Sequence, residues 1–236
     1  MDFHWKSHQR WMTAMFWYLL LAHFIADYPL QTDWMVKNKQ RWPVLGLHIA
    51  IHLGVMFLVV GVARQDLWPA LLAIAAAHLL IDLGKNYANR LRPEWVIAPY
   101  AVDQLLHYLS IGWVALWIER YQGGLSLPIT RSGVIYLLGY LLVTYVWFVS
   151  ERILSYANTP YRQEVISHLW SRMVVRALVF SGFLLAWNPL SGQMPFAGLA
   201  FHLPYLSGKN SWRALLTDIL VPLGISLFVR WALLVS

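Results

Sequence analysis

Apolar runs long enough to cross a lipid bilayer recur about seven times along these 236 residues, at 11–30, 44–62, 67–83, 96–118, 134–154, 173–187 and 215–234. A helix needs roughly 20 mostly apolar residues to traverse the hydrocarbon core. Within lipid, backbone N–H and C=O groups must be satisfied inside the protein, so runs of this length read as helices. The fold class expected is all-α, a polytopic transmembrane helical bundle of about seven spans. The sixth run is the shortest and carries Arg176 near its start. A further apolar stretch at 194–206 holds Pro195, Gly198 and Pro204 and reads as a loop or re-entrant segment. Lys6 and Arg10 precede the first run, as in a signal peptide. That run contains His23 and Asp27 and no small-residue cleavage site follows, so it reads as a retained first span.

Composition agrees. Hydrophobic residues make up 59% of the chain and charged residues 12%, whereas a soluble domain carries roughly 25% charged residues. The 14 tryptophans and 12 tyrosines suit the aromatic belts at headgroup level. Cysteine is absent, which excludes disulfides, thiolate metal sites and cysteine nucleophiles. The net charge of +7 is scattered in short clusters between apolar runs, the pattern of membrane flanks and not of a nucleic-acid-binding arm.

Those flanks set an expected orientation. Lys37, Lys39, Arg41, Lys85, Arg90, Arg92, Arg152, Arg162 and Arg172 follow the odd-numbered spans, nine in all. Lys6, Arg10, Arg64, Arg120, Arg131, Lys209 and Arg213 make seven on the other side. The balance leans toward an N-terminus outside the cytoplasm.

The polar residues inside the spans are not scattered. His23 and Asp27 are four apart on span one, and His48 and His52 four apart on span two. His78, Asp82 and Lys85 run at four and three on span three; Asp103 and His107 are four apart on span four, beside Gln104. Residues three or four apart share a helix face. Spans one and three carry their pairs near the C-terminal end, and spans two and four near the N-terminal end. All four pairs therefore fall at one depth, in the leaflet beside the basic loops. The segments 22–27 and 77–82 echo each other as Ala-His-x-x-x-Asp, which suggests two helical hairpins related by an axis along the membrane normal. Residues 1–122 are expected to form a four-span membrane domain with this cluster, and 123–236 a C-terminal membrane half of about three spans.

Ionisable groups within a membrane are costly and mark function by default. Neutral imidazole and carboxylate at helical spacing are the ligands of zinc, manganese and iron sites inside helix bundles. The expected metal ligands are His23, Asp27, His78, Asp82 and His107, with Asp27, Asp82 and Asp103 as candidate catalytic carboxylates. Gln31, Lys37, His48, His52, Lys85 and Gln104 are expected to support the ligands or contact substrate. A bound divalent ion would polarise an ester or phosphoryl oxygen and bring the pKa of its water to about 7. Lys37, Lys39 and Lys85 would sit at the mouth and attract an anionic headgroup. Two other classes fit the same residues: a transporter or channel for protons or metal ions, and a scaffold whose polar core locks the bundle.

Away from the cluster, Glu151 and Arg152 end span five as an adjacent-charge terminus or as a closure of the site. Arg176 and Asp218 are placed to pair across spans six and seven. The segment 27–33 reads as a helix exit bent by Pro29, returning Gln31 and Asp33 over the site. There is no Gly-rich phosphate loop, no Gly-x-Ser-x-Gly elbow, and no His-Glu-x-x-His, since His48 and His52 enclose Ile49, Ala50 and Ile51. A zinc protease is not expected.

The order His23-x-x-x-Asp27-x-x-x-Gln31, Lys37-Asn38-Lys39, His48, His78-Leu79-Leu80-Ile81-Asp82-x-x-Lys85 and Asp103-Gln104-x-x-His107 resembles a bacterial membrane family, domain of unknown function 3307, over about the first 120 residues. The resemblance implies a bacterial cytoplasmic (inner) membrane but no particular activity. The His-Leu-Leu-Ile-Asp element is also similar to one in families of membrane-bound metal-dependent hydrolases. The leading expectation is a divalent-metal-dependent hydrolase acting on a lipid-linked or amphipathic ester or phosphoester, with membrane lipid as partner and no role for nucleic acid.

Overall fold

The computed structural model describes residues 5–122, 129–186 and 211–235. Regular structure among the described residues is entirely helical. The chain comprises α1 (Trp5–Asp27), α2 (Asp33–Asn38), α3 (Trp42–Met56), α4 (Trp68–Leu91), α5 (Ile97–Gln122), α6 (Arg131–Leu141), α7 (Trp147–Leu154), α8 (Thr159–Ser167), α9 (Leu169–Ala186) and α10 (Ser211–Val235). Six described helical stretches are long and apolar enough to span a membrane: Trp42–Gly61, Gln65–Leu91, Ile97–Tyr121, Arg131–Leu154, Leu169–Ala186 and Leu215–Leu234. The first helix adds a shorter apolar stretch, Ala14–Asp27. The stretch 194–206 lies outside the described residues.

The helix boundaries follow local chemistry. Pro43 and Pro69 sit in the first turns of α3 and α4, where the missing N–H costs nothing. Thr32 caps α2 by accepting from the Met35 N–H at 3.3 Å, and Asn158 caps α8 by accepting from the Tyr161 N–H at 3.3 Å. Span two is not α-helical throughout. Residues Phe57–Gly61 form a π-turn, and the Val62 N–H bonds the Phe57 carbonyl at 2.8 Å. Gly61 permits it, because a Cβ there would lie 2.6 Å from the Phe57 ring. A second π-turn, Leu142–Val146, joins α6 to α7.

The chain divides into two compact units, Met1–Val134 and Ile135–Val235. In the first, α1 packs on α3 and α5, and α4 packs on the same two helices, which closes a ring of four. Its polarity is inside out. On α4, His78 and Asp82 are 2% and 1% exposed, while Leu80 between them is 68% exposed. A helix that hides its histidine and aspartate and presents its leucine is built for a lipid solvent.

In the second unit, the helix running from α6 through α7 packs on α9 and α10. Gly139 makes this approach possible: a Cβ there would meet the Phe180 ring at 2.6 Å and Val229 at 2.9 Å. This unit has its own buried charges. Arg172 donates to Glu151 Oε1 at 2.8 Å and to Asp218 Oδ1 at 2.9 Å, and Arg176 reaches Glu151 Oε2 and Asp218 Oδ1, each at 3.2 Å. The expected Arg176–Asp218 pairing across helices is therefore present. Glu151 is not the terminus of an adjacent-charge pair with Arg152. It accepts from both arginines of α9, from Thr217 at 3.2 Å, and from the Tyr161 hydroxyl. Arg172 is likewise no flank residue but a buried member of α9. Without it the expected cytoplasmic side keeps eight of its nine charges, against seven.

Candidate metal centre

Each helix of the N-terminal ring brings one pair of side chains to its centre. His23 Nε2 lies 3.4 Å from Asp27 Oδ2 on α1, His78 Nε2 lies 3.4 Å from Asp82 Oδ2 on α4, and His107 Nε2 lies 3.5 Å from Asp103 Oδ1 on α5. These i,i+4 contacts follow from helical spacing alone. The fourth pair, His48 and His52 on α3, crosses to α1: their Nε2 atoms lie 3.2 and 3.0 Å from Asp27 Oδ1. His48 Nε2 is also 3.1 Å from His78 Nε2 and 3.5 Å from Asp82 Oδ2. The rings form one body, with centroids 3.8 Å apart for His52–His78, 4.0 Å for His78–His107 and 5.0 Å for His23–His107.

All five imidazoles are buried and present Nε2 to the same space. Hydrogen bonds join part of this arrangement, His48 to His78 at 3.1 Å and His52 to Asp27 at 3.0 Å, and leave the rest without an aligned partner. A neutral imidazole donates from one nitrogen only. His23 Nε2, His107 Nε2, Asp82 Oδ2 and Asp103 Oδ1 are buried without a well-aligned hydrogen bond. Each has an ion-pair neighbour instead: Asp27 for His23, Lys39 for Asp82, and His107 and Asp103 for one another, at 2.8 to 3.5 Å. Three overlapping sets keep their donor atoms within 4.8 Å of one another: Asp27 with His48, His52 and His78; His23 with His78 and His107; Asp82 and Asp103 with His107. These are sets that could hold a metal ion.

Surrounding groups hold these side chains in place. The Gln31 amide, in the orientation that satisfies both its ends, donates to the Asp27 carbonyl at 3.2 Å and accepts from Lys39 Nζ at 3.0 Å. The accepting oxygen then occupies the position 3.3 Å from His48 Nδ1. An Nδ1–H held there leaves the Nε2 lone pair facing the centre, as ligating histidines commonly require. Lys39 Nζ is 2.8 Å from Asp82 Oδ2, and Lys85 Nζ is 2.7 Å from Asp103 Oδ2. Gln104 donates to Asp103 Oδ2 at 3.1 Å and accepts from the hydroxyls of Tyr28 and Tyr108, each at 3.0 Å. The Tyr28 and Tyr100 hydroxyls are 3.2 Å apart.

His23, Asp27, His48, His52, His78, Asp82, Asp103 and His107 are thus brought together, with Gln31, Lys85 and Gln104 around them. Lys37 is not among them and lies exposed on α2. Lys39, two residues on, makes the contact instead. Pro29 bends the helix exit and Gln31 returns to the site, whereas Asp33 opens α2 at the surface. The tyrosine hydroxyls of 28, 100 and 108 were not expected here. Their signal was the spacing of Tyr100, Gln104 and Tyr108, four apart on α5.

No curated protein and no solved structure matches the chain. A family model described as a protein of unknown function, DUF3307, matches residues 15–133, which take in α3, α4 and α5, the C-terminal half of α1 and every residue of the cluster. The chain belongs to the DUF3307 family of proteins of unknown function, and its membrane-type helical bundle carries the cluster within the matched region.

Proposed function

We propose that this protein is a metal-dependent hydrolase of a bacterial cytoplasmic membrane, acting on a lipid-linked or amphipathic ester or phosphoester. One observation carries the reading: the mutual spacing of the donor atoms. Ligands about 2.0–2.1 Å from a tetrahedral ion sit roughly 3.4 Å from one another. The neighbouring nitrogens and oxygens here are 3.0 to 3.5 Å apart. Five imidazoles and three carboxylates suit zinc, manganese or iron.

The remaining groups fit hydrolysis. An ion among these ligands supplies a hydroxide near neutral pH and a Lewis acid for the scissile group. Asp27, Asp82 and Asp103 are the candidate carboxylates for moving the water proton, and Lys39 and Lys85 supply positive charge beside two of them. Exposed Trp34, Trp42, Tyr87 and Trp95 lie on the segments that bound this end of the ring, as an interfacial belt would. A substrate with its head in the interface and its tail in lipid meets the site from that side.

The test is metal content, by mass spectrometry, of the detergent-purified protein beside His23→Ala and His78→Ala. A stoichiometric transition metal in the wild type, lost or strongly reduced in both variants, is expected. No metal after supply of zinc, manganese and iron would move the assignment to proton-coupled transport or a structural core.

A further inference from the structure

We propose that the cluster holds two divalent cations side by side and takes a phosphoryl group across them; this rests on the reading of the cluster as a metal centre. Seven buried side chains and the half-buried Asp27 offer donors, whereas zinc in a structural site takes four ligands and first-row ions in oxygen-rich sites six. The donors also form overlapping sets joined through His78 and His107, more than one shell holds. His48 and His52 converge on Asp27 Oδ1, at 3.2 and 3.0 Å. On the other side, His107 faces Asp103 Oδ1 at 3.5 Å, and His23 faces the second oxygen of Asp27, Oδ2, at 3.4 Å. The two oxygens of Asp27 thus look toward different imidazoles, the arrangement of a bridging carboxylate. The His78 ring joins the sets, 3.8 Å from His52 and 4.0 Å from His107. Paired ions that clamp a displacement sit about 3.5–4 Å apart.

The poorly bonded atoms point the same way. A single ion among Asp27, His48 and His52 leaves the buried His107 Nε2 and Asp103 Oδ1 with only each other, 3.5 Å apart and without an aligned hydrogen bond. A second ion between them removes that cost.

Charge then selects the substrate. Three carboxylates against Lys39 and Lys85 leave one net negative charge with neutral imidazoles. Two divalent ions turn this to three positive, and a hydroxide lowers it to two. A phosphate monoester brings two negative charges, which closes the balance in a medium where uncompensated charge is expensive. A carboxylic ester brings none. In the reaction the hydroxide oxygen forms a bond to phosphorus, and the bond from phosphorus to the leaving oxygen breaks with its electron pair. The leaving oxygen takes the proton that water lost when it became hydroxide.

The experiment uses the full-length protein in detergent, loaded with manganese and freed of excess ion. Metal per chain is counted by mass spectrometry, coupling between ions is read by electron paramagnetic resonance, and inorganic phosphate binding is followed by calorimetry. Two ions per chain, an exchange-coupled spectrum, and phosphate binding that disappears on removal of one ion are expected. His52→Ala and His107→Ala should each fall to about one ion per chain and lose the coupling. One ion per chain in the wild type overturns the pair while leaving the metal-hydrolase reading intact. No ion overturns both. Two coupled ions that bind no phosphate overturn the substrate class alone. The wild-type count does not depend on whether either variant folds.

Discussion

Asp27 has imidazole nitrogens against both of its carboxylate oxygens, at 3.0 to 3.4 Å for its three nearest histidines. Asp27→Asn keeps the shape and removes the charge, and its amide offers a neutral group where the carboxylate would ligate. Metal affinity is expected to fall by at least the roughly 10–100-fold that loss of a supporting ligand contact causes, measured by competition with a chelating dye. Gln31→Ala leaves every first-rank donor in place and frees the His48 ring, so a loss of about tenfold is expected in the same assay. At this scale the sequence was readable where helical spacing decides. The pairs 23/27, 78/82 and 103/107 needed only i,i+4 geometry. It was unreadable where a connecting segment decides. Whether Lys37 or Lys39 meets Asp82 depends on how α2 is seated, and no periodicity encodes that.

The elements themselves were legible because length and hydropathy alone define a bilayer-crossing helix, and each run at 44–62, 67–83, 96–118 and 134–154 lies within, or nearly within, an observed helical stretch. The two π-turns were not, since an i→i+5 bond leaves no composition signal beyond a permissive Gly61. Arg172 reads as a flank charge in the sequence because its acidic partners lie 21 and 46 positions away. Breaking a buried pair typically costs about 3–5 kcal/mol. Asp218→Ala is therefore expected to lower the thermal midpoint of the C-terminal unit markedly in detergent, with metal content unchanged. Gly139→Ala forces a Cβ to 2.6 Å from a fully buried Phe180 ring, and a loss of about 1–3 kcal/mol is expected on the same melting curve. Tyr161, on α8 outside the spans, has its hydroxyl pushed up to about 12, first by burial and then by its bond to Glu151. A tyrosine whose proton is held more tightly in the folded state contributes stability that is intact below its free value of about 10 and declines above it. The melting temperature should therefore fall between pH 10 and 12, and Tyr161→Phe should flatten that dependence.

For the whole molecule, four separate helices meet through ionisable side chains, so an ion bound among them would link metal to stability. An ion present at a thousand times its Kd adds about 4 kcal/mol to the folded state. A chelator should lower the unfolding midpoint of the N-terminal unit and leave the Asp218→Ala effect additive with its own. All four polar pairs lie at or before His107, and the histidines beyond it, His168 and His202, stand outside the pairs. What each half does inside the membrane was not legible in the sequence, because the same apolar composition serves a catalyst, a conduit and a scaffold.

Neighbours around the ring follow sequence order: α1 beside α3, α3 beside α4, α4 beside α5, and α5 back against α1. During synthesis, a nascent chain inserted only as far as α3 has Asp27 and three of the five imidazoles, and the last donor pair arrives with α5. A chain that mis-threads any one of these helices would therefore leave buried carboxylates and imidazoles without their counterparts, a cost that favours the correct insertion of all four.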